Sequence, residues 1–352
     1  MARVRRRAGI AVLGLGRMGR LHATNLAYGC PTAELACVVD ADAEIARREA
    51  DRLGVRWATS ADAALSDDGV DAVVIATPTS THAEVLASAV AAGKHVLCEK
   101  PLSSDRASTI DAIEATRKAG LKLQVGFHRR FDPDWAEATR RIAAGELGEV
   151  YLFRTSLRDM VPPPPQFLAG SGGFFVDVTI HDLDTARWMV GEVSEVSATG
   201  AALSDPGFAE IGDLDHAVVV LRFESGALGV IDNSRVAGYG YECSTEVVGS
   251  AATVRIDHPQ QRHVQWLTPG QVAQDVVRDF VARYPLAYAD ELEAFGRCIL
   301  DDVPPAVSGL DGLAAFDLAG VAELSMRVGR PIPVGHRSTA DGPVYDVPEA
   351  RE

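Results

Sequence analysis

Over its first 127 residues the chain alternates short apolar runs with longer stretches whose apolar residues recur at helical spacing. Stretches such as ADAEIARREADRLG and STHAEVLASAVAAG end in glycine, a residue that commonly terminates a helix. The apolar runs are GIAVLGLG, ELACVVD, DAVVIATP, KHVLCEKP and KLQVGF. Short strands alternating with helices are typical of a parallel sheet with crossover helices. This part of the chain therefore predicts a doubly wound α/β domain over residues 1–127.

From about residue 149 the pattern favours strands joined by hairpin turns such as ESGA. The strand-like runs are EVYLFRTSLRD, SEVSATGAAL, DHAVVVLRFESGALGVIDNSRV, YECSTEVVGS and ATVRIDH. Helical periodicity returns in GGFFVDVTIHDLDTARWMVGE and in two patterns near 286–302 and 309–329. We expect a second, α+β domain over residues 128–335 with a large, mostly antiparallel open sheet. Its last helices should pack back on the first domain, and residues 336–352 should form a tail.

Composition narrows the classes of partner. A chain of 352 residues is long for one hydrophobic core, which agrees with two domains. The formal net charge of −15 argues against nucleic acid and anionic membranes, because both require a basic footprint. No window approaches the roughly 18 apolar residues of a membrane span, and the basic run at residues 3–7 lacks the apolar segment of a signal peptide. We expect a cytoplasmic protein without membrane or nucleic-acid partners.

The cysteines and histidines form no recognisable set of metal ligands. The five cysteines are scattered, odd in number and never spaced as C-x-x-C, and the nine histidines form no H-x-x-x-H or H-E-x-x-H pattern. This pattern favours reduced, mostly buried thiols over a disulfide framework or a zinc site. We expect no metal.

A glycine-rich loop follows the first predicted strand. Gly14, Gly16 and Gly19 have G-x-G-x-x-G spacing, the loop directly precedes a helix, and a second strand ends in Asp40 about 20 residues later. This is the context of a Rossmann dinucleotide site, in which the glycines let the backbone approach the pyrophosphate at the helix N-terminus. Asp40 can accept both ribose hydroxyls of adenosine, whereas a 2′-phosphate would be repelled by Asp40 and Asp42. The sequence therefore predicts NAD rather than NADP.

A polar stripe lies on the helix predicted within residues 172–192. Asp177, His181 and Asp184 are spaced i, i+4 and i+7, which would place them on one side of an α-helix. The plain alternative is a solvated face that contains one satisfied histidine.

Further motifs resemble those of the Gfo/Idh/MocA family of nicotinamide-dependent sugar oxidoreductases. They are IATPTSTHAE at 75–84, CEKPLS at 98–103, GFHRRFDPDW from 126, and the Asp177–His181 helix. With the glycine loop they run in order along nearly the whole chain. RDMVPPPPQFLAGSGGFFVDVTIHDLDTARWMVG and GALGVIDNSRVAGYGYECSTEVVGS resemble the inositol dehydrogenase branch of that family.

The resemblance implies three catalytic residues. Lys100 would contact the cofactor ribose and stabilise the reacting oxygen as it becomes alkoxide-like. His181 would be the general base, a role that suits the pKa of imidazole, and Asp177 would stabilise the protonated base. The resemblance also implies a cis Lys100–Pro101 bond, and Thr179 and Asp184 as secondary or orienting groups.

The remaining expected contacts fall into two sets. Cofactor contacts are expected from Gly14, Gly16, Arg17, Met18, Gly19, Asp40, Thr77, Pro78, Thr79, His82, Glu99, Lys100 and Arg130. Substrate contacts are expected from Lys100, His128, Arg129, Asp159, Asp177, Thr179, His181, Tyr239 and Tyr241. His128 departs from the inositol branch, whose members tend to carry methionine there, and would shift preference among cyclitols or towards a pyranose.

The leading hypothesis is NAD-dependent oxidation of a secondary ring hydroxyl of a cyclitol, such as myo-inositol to the 2-keto-inosose, in sugar metabolism. The alternative keeps this chemistry on scyllo-inositol or on another sugar or sugar derivative. A remote alternative is a non-catalytic NAD-binding regulator, against which Lys100, Asp177 and His181 argue. Because the family commonly forms tetramers, we expect a homotetramer.

Overall fold

The computed structural model describes residues 7–168, 170–257, 260, 262, 264–339 and 342–347. Its described residues divide into two compact units. The first contains the residues up to Asp132 together with Leu286–Leu313, and the second contains Pro133–Pro285 and the residues from Ala314 onwards. Each unit is described by itself below.

The first unit contains a six-stranded parallel sheet in the order β3-β2-β1-β4-β5-β6. Its strands are β1 (Ala8–Leu13), β2 (Ala33–Val39), β3 (Arg56–Ala58), β4 (Ala72–Ile75), β5 (His95–Cys98) and β6 (Leu123–Val125). This order, which reverses direction between β1 and β4, is that of a dinucleotide-binding fold, so the predicted doubly wound domain is confirmed.

The helices of the first unit mostly connect successive strands. They are α1 (Arg17–Tyr28), α2 (Ala43–Leu53), α3 (Ala61–Leu65), α4 (Thr79–Ala91) and α5 (Arg106–Lys118). A 3₁₀ helix at His128–Phe131 follows β6. Leu292 and Phe295, from a much later helix, are buried in the same core as Ile10 and Val38.

The second unit is built on a seven-stranded sheet in the order β12-β11-β7-β10-β9-β8-β15, in which only the pair β7–β10 is parallel among the described pairs. The strands are β7 (Val150–Arg158), β8 (Val193–Ala201), β9 (His216–Phe223), β10 (Leu228–Ser234), β11 (Glu242–Gly249), β12 (Thr253–Ile256) and β15 (Ile332–Pro333). The large, mostly antiparallel sheet is therefore confirmed.

Two small hairpins accompany this sheet. They are β13 (Gln265–Thr268) with β14 (Gln271–Gln274), and β16 (Gly335–Thr339) with β17 (Gly342–Asp346). The sequence pattern indicated neither hairpin. Part of the basic N-terminal run, residues 3–6, and residues 340, 341 and 348–352 of the predicted tail lie outside the described residues.

The later helices are α6 (Pro133–Ala143), α7 (Pro165–Leu168), α8 (Ile180–Val190), α9 (Pro206–Glu210), α10 (Phe280–Arg283), α11 (Ala287–Leu300) and α12 (Gly309–Val328). The two helical patterns predicted near the end of the chain are α11 and α12. Helix α11 belongs to the first unit, and α12 begins in the first unit and continues in the second. No described helix is both long and apolar enough to cross a bilayer.

The predicted helix within 172–192 is not a regular α-helix. Residues Phe175–Thr179 form a π-helical turn that leads into α8. The expectation that Asp177, His181 and Asp184 share one α-helical stripe is therefore wrong at its start, because a π turn contains more residues than an α turn. Such turns are rare and frequently mark functional sites.

Candidate active site

The glycine loop after β1 is tightly packed at two of its three glycines. Gly14 has a φ of +87°, and a Cβ there would lie 2.7 Å from the carbonyl oxygen of Ala76. A Cβ at Gly19 would lie 1.7 Å from the carbonyl oxygen of Gly14, so only glycine allows α1 to approach the loop this closely. A Cβ at Gly16, in contrast, would meet nothing within 4 Å. The chain itself requires Gly14 and Gly19, and the space beside Gly16 is open to a ligand.

Helix α1 begins directly after this open position. Its N-cap residue is Gly16, no side chain caps the helix, and its first turn contains no acidic residue. The backbone N–H groups of Arg17 and Met18 lie at this end, where the helix dipole favours an anion. The loop and helix therefore fit the pyrophosphate of a dinucleotide.

Asp40 lies at the carboxyl end of β2, the strand next to β1. One carboxylate oxygen accepts from the N–H of Leu15 at 2.8 Å, and the other accepts from the N–H of Asp42 at 2.9 Å. These bonds orient the carboxylate, and each oxygen keeps a further lone pair for a hydroxyl donor. Asp42 is the N-cap of α2 and accepts from the N–H groups of Glu44 and Ile45. Two carboxylates beside each other fit a ribose diol better than a phosphate.

The Lys100 turn follows β5 at the same edge of the sheet. The Lys100–Pro101 peptide bond is cis, as expected. The Glu99 side chain accepts a hydrogen bond from His22 Nε2 at 2.7 Å. His82 Nδ1 lies 2.7 Å from the carbonyl oxygen of Pro101.

The loop between β4 and α4 carries Thr77 and Pro78, and Thr79 is the first residue of α4. Pro78 is the N-cap residue of α4, and Thr81 Oγ1 lies 2.8 Å from Thr77 Oγ1 and donates to the carbonyl of Pro78. Like the glycine loop, this loop stands at the carboxyl edge of the parallel sheet, where ligands of such sheets bind.

The motif after β6 is buried rather than open. His128 is 7% exposed and its ring stacks on Tyr288, with a centroid distance of 4.6 Å. Arg129 is 2% exposed, and the Arg130 guanidinium forms an ion pair of 3.0 Å with Asp311. The cofactor contact of Arg130 and the substrate contacts of His128 and Arg129 stay predictions.

In the second unit, Asp177 is held by a buried arginine. The Arg235 guanidinium is 1% exposed and lies 2.8 Å from Asp177 Oδ2 and 3.1 Å from Asp213 Oδ2. Asp213 also accepts from the N–H of Phe174 at 2.9 Å. A guanidinium stays protonated and donates in a fixed geometry, so this pairing keeps Asp177 as an oriented carboxylate.

Helix α8 is buried on nearly every side, which excludes the alternative of a solvated face. Asp182 and Asp184 are 0% and 1% exposed. Asp182 accepts from Thr155 Oγ1 at 3.1 Å and from Asn233 Nδ2 at 2.8 Å, which ties the helix to the sheet. Thr179 is fully buried, and its hydroxyl has no hydrogen-bond partner among the described residues.

Within the second unit, one expected substrate residue, Tyr239, does not lie on the side of the sheet that α8 covers. Thr155 faces α8, so Arg158, three positions later on β7, points to the opposite face of the sheet. The hydroxyl of Tyr239 contacts Arg158 and Glu242 and therefore belongs to that opposite face. Tyr241 is 4% exposed, and the N–H of Asp159 donates to the carbonyl of Ser234 at 3.0 Å.

The sequence motifs did not indicate that Arg235 and Asp213 accompany Asp177. Arg235 lies 58 residues from Asp177 in the chain, so no local spacing links them. The available signal was weak: an arginine directly after the strand that ends in DNS.

The described residues contain no group of three or more histidine, cysteine, aspartate or glutamate side chains that could hold a metal ion. All five cysteines are buried, and none of them forms a disulfide bond.

Two family models match the chain in succession. The model described as oxidoreductase family, NAD-binding Rossmann fold, matches residues 8–127, and the model described as GFO/IDH/MocA C-terminal domain matches residues 135–255. The chain belongs to the Gfo/Idh/MocA oxidoreductase family. NAD is accordingly its cofactor.

Relatives within the Gfo/Idh/MocA family match most of the chain. Myo-inositol 2-dehydrogenase of Thermotoga maritima is 41% identical over 326 residues, which are 92% of this chain and 97% of that protein. The scyllo-inositol 2-dehydrogenase (NAD(+)) of Bacillus subtilis is 39% identical over 324 residues, 92% of this chain and 95% of that protein. The crystal structure of scyllo-inositol dehydrogenase from Lactobacillus casei with bound NAD(H) and scyllo-inositol has a TM-score of 0.87 at 28% identity and covers 93% of this chain and 99% of that chain.

Proposed function

We propose that this oxidoreductase oxidises a secondary ring hydroxyl of an inositol with NAD, and that myo-inositol, oxidised to the 2-keto-inosose, is its substrate. The observation that carries the proposal is the Asp177–Arg235 pair at the π turn before His181. Oxidation of an alcohol uses a general base to remove the hydroxyl proton. An oriented carboxylate close to that base stabilises the positive charge that the base then acquires. The names of the relatives supply the substrate class.

The proposed roles follow from the chemistry of each side chain. Bound NAD supplies the carbon that accepts the hydride. His181 takes the hydroxyl proton, and Asp177 stabilises the imidazolium that results. The Lys100 ammonium stabilises the negative charge that grows on the substrate oxygen.

The cofactor contacts that we propose begin with Asp40 on the adenosine ribose. The loop residues Gly14 and Gly16 and the first turn of α1 receive the pyrophosphate. The nicotinamide side is assigned to the motifs after β4, β5 and β6, namely Thr77, Pro78, Thr79, Glu99, Lys100 and Arg130. The expected contact of His82 is not proposed, because both of its ring nitrogens lie against backbone carbonyls. For the polyol we propose His128, Arg129, Asp159, Thr179 and Tyr241, but not Tyr239, because its hydroxyl lies on the face of the sheet opposite α8.

A second candidate is the same oxidation of scyllo-inositol or of another sugar derivative. The relatives favour neither isomer clearly, since one named for each has close to the same identity to this chain. The buried His128 ring on Tyr288 adds a polar group where the inositol branch tends to carry methionine. That difference supports testing several ring stereoisomers.

The experiment is NADH formation measured at 340 nm, with NAD or NADP and a panel of myo-, scyllo- and D-chiro-inositol, glucose, xylose and glucose 6-phosphate. We expect turnover of an inositol with NAD, and a loss of about 10²- to 10⁴-fold in kcat for His181→Ala. Lys100→Met should also lose activity, whereas Lys118→Met, a matched change at an exposed lysine of α5, should not.

Three other outcomes would contradict parts of the proposal. Turnover of a hexose alone would discard the inositol substrate and keep the mechanism. Tight NAD binding without turnover of any compound would favour the non-catalytic regulator. Full activity of His181→Ala would discard the general base.

We further propose a cytoplasmic homotetramer that works in sugar metabolism. Support for assembly comes from the outer face of the seven-stranded sheet, where Val218, Val220 and Leu228 are 40%, 46% and 43% exposed. Neighbouring exposed apolar side chains of this kind mark contact surfaces.

A further inference from the structure

Two buried histidines hold the residues on either side of Lys100. His22 on α1 contacts the side chain of Glu99, which precedes the lysine, at 2.7 Å. His82 on α4 contacts the carbonyl of Pro101, which follows the lysine, at 2.7 Å. The two rings are 0% and 1% exposed, so water does not compete for either contact.

The contact to Glu99 has a defined donor. His22 Nδ1 has no hydrogen-bond partner among the described residues, and a carboxylate only accepts, so His22 Nε2 carries the proton and donates it to Glu99. The Tyr288 ring meets the His22 ring edge-on, with centroids 6.0 Å apart. A Cβ at Gly126 would lie 2.9 Å from Glu99 Oε2, which is too close for an ordinary contact. The glycine therefore provides the space that the Glu99 carboxylate occupies.

The contact to Pro101 has a second partner. His82 Nε2 lies 2.9 Å from the carbonyl oxygen of Thr77, while Nδ1 faces Pro101. Carbonyl oxygens only accept, so a neutral ring can donate to one of them and an imidazolium to both. His82 therefore links the Lys100 turn to the loop that opens α4.

The elements that carry these histidines also carry the cofactor loops. Helix α1 begins directly after the glycine loop, and α4 begins directly after the loop that contains Thr77. The backbone of Glu99 is fixed as well, because its N–H donates to the carbonyl of Ile75 at the end of β4 at 2.9 Å. Lys100 thus lies between two residues that are each tied to a cofactor-binding element.

We propose that His22 and His82 are positioning residues that hold Lys100 in register with the two cofactor loops, and that neither acts on the substrate itself. This inference rests on the proposed role of Lys100. It also gives His82 a function that does not need contact with NAD.

The test uses the different reach of the two amide side chains. An asparagine amide nitrogen can take the place of histidine Nδ1, and a glutamine amide nitrogen can take the place of Nε2. At position 82, asparagine can keep the bond to Pro101, and glutamine can keep only the bond to Thr77. At position 22, glutamine can keep the bond to Glu99, and asparagine cannot.

We expect a crossed result in kcat with NAD and the inositol that the wild-type enzyme oxidises. His82→Asn and His22→Gln should stay within about 3-fold of wild type, whereas His82→Gln and His22→Asn should fall by about 10- to 100-fold, the scale on which a displaced catalytic group costs rate. The Kd for NADH, measured by fluorescence, should rise by much less than kcat falls, because Lys100 supplies only one of the proposed cofactor contacts. Equal losses for both amides at each position would overturn the proposal, and so would NADH Kd values that rise in proportion to the loss of kcat.

Two further measurements separate this inference from the proposed function. Lys100→Met at full activity would remove the role of Lys100 and leave the histidines nothing to position. Crystal structures of His82→Asn and His82→Gln give a readout without turnover. We expect the Pro101 carbonyl and Lys100 Nζ in their wild-type places in the first variant and displaced in the second. Identical positions in both would overturn the inference even if the enzyme oxidises inositol as proposed.

Discussion

The carboxyl group of Glu291 on α11 is buried in the first unit. The residue is 0% exposed, and both carboxyl oxygens have no hydrogen-bond partner among the described residues. Its backbone carbonyl, in contrast, accepts from Gln124 Nε2 at 3.1 Å. Burial, and after it the negative charge of Glu99, raises the pKa of Glu291 well above its ordinary value of 4.5. The side chain is therefore a neutral acid in the folded protein.

This neutral acid makes stability fall as the pH rises. The unfolded chain releases the Glu291 proton near pH 4.5, whereas the folded chain keeps it until the raised pKa is passed. Between these two values each pH unit lowers the free energy of unfolding by about 1.4 kcal/mol. We expect Glu291→Gln to have the Tm of the wild type near pH 4.5 and a higher Tm at neutral pH.

The measurement is the Tm of both proteins by calorimetry across this pH range. Glu84→Gln, a change at an exposed position of α4, is the control and should show no such divergence. A constant Tm difference between wild type and Glu291→Gln at all pH values would show that the pKa of Glu291 is the same in the folded and unfolded states.

Gly16 and Gly19, in the loop after β1 and at the start of α1, have different roles. Gly19 is required by the fold, whereas Gly16 leaves space for a ligand. The space at Gly16 is open, whereas the space at Gly19 is filled by the backbone of Gly14. We expect Gly16→Ala to keep the wild-type Tm and to weaken NAD binding by about 10-fold or more, because the added methyl group occupies the path of the pyrophosphate. Gly19→Ala should lower the Tm, because the added methyl group would force the backbone of Gly14 to move.

Calorimetry measures the Tm of the two variants, and fluorescence titration measures their affinity for NADH. The pair differs only in the position of one methyl group, so each variant is the control of the other. Unchanged NADH affinity in Gly16→Ala would show that the pyrophosphate does not approach the backbone at that glycine.

The sequence predicted those elements whose signals are local. The strand–glycine–helix motif, the helix caps and the period of the apolar residues are all contained within a few neighbouring residues, and the parallel sheet and the antiparallel sheet were both recognised from them. The π turn was missed, because no local residue signal distinguishes a π turn from an α turn in this sequence. The short β3 was missed since two of its three side chains are exposed and give no alternating pattern.

Pairings between residues far apart in the chain could not be predicted, because the fold alone brings such residues together. Arg235 reaches Asp177 only after β9 and β10 have placed it there, and nothing near either residue signals the other. The same holds for His22 and Glu99, which are 77 residues apart. Motif reading therefore named the reactive groups and missed some of the residues that orient them.

Assembly of the whole molecule should depend on the outer face of the seven-stranded sheet. Val220 on β9 pairs with Val230 on β10, and it is 46% exposed. We expect Val220→Glu to shift the particle from a tetramer to a smaller species, because four added charges would lie in the proposed contact surfaces. Light scattering after size-exclusion chromatography measures the mass.

The matched control is Val303→Glu, in which the same change is made at a valine that is 44% exposed in the first unit. Its mass should equal that of the wild type. A wild-type tetramer that Val220→Glu leaves intact would place the contact surface elsewhere, and a monomeric wild type would remove the proposal of assembly.

The core of the first unit contains residues from before and from after the segment Pro133–Pro285. This order along the chain has a consequence for biosynthesis. Leu292 and Phe295 are packed with Ile10 and Val38, but the ribosome makes them only after the entire segment Pro133–Pro285. At roughly 5 to 20 residues per second, the nascent nucleotide-binding sheet waits about 10 to 30 s for the helix that completes it. During that interval its uncovered apolar surface is a substrate for chaperones, and a gene fragment that ends at residue 132 would encode a sheet that never receives its cover.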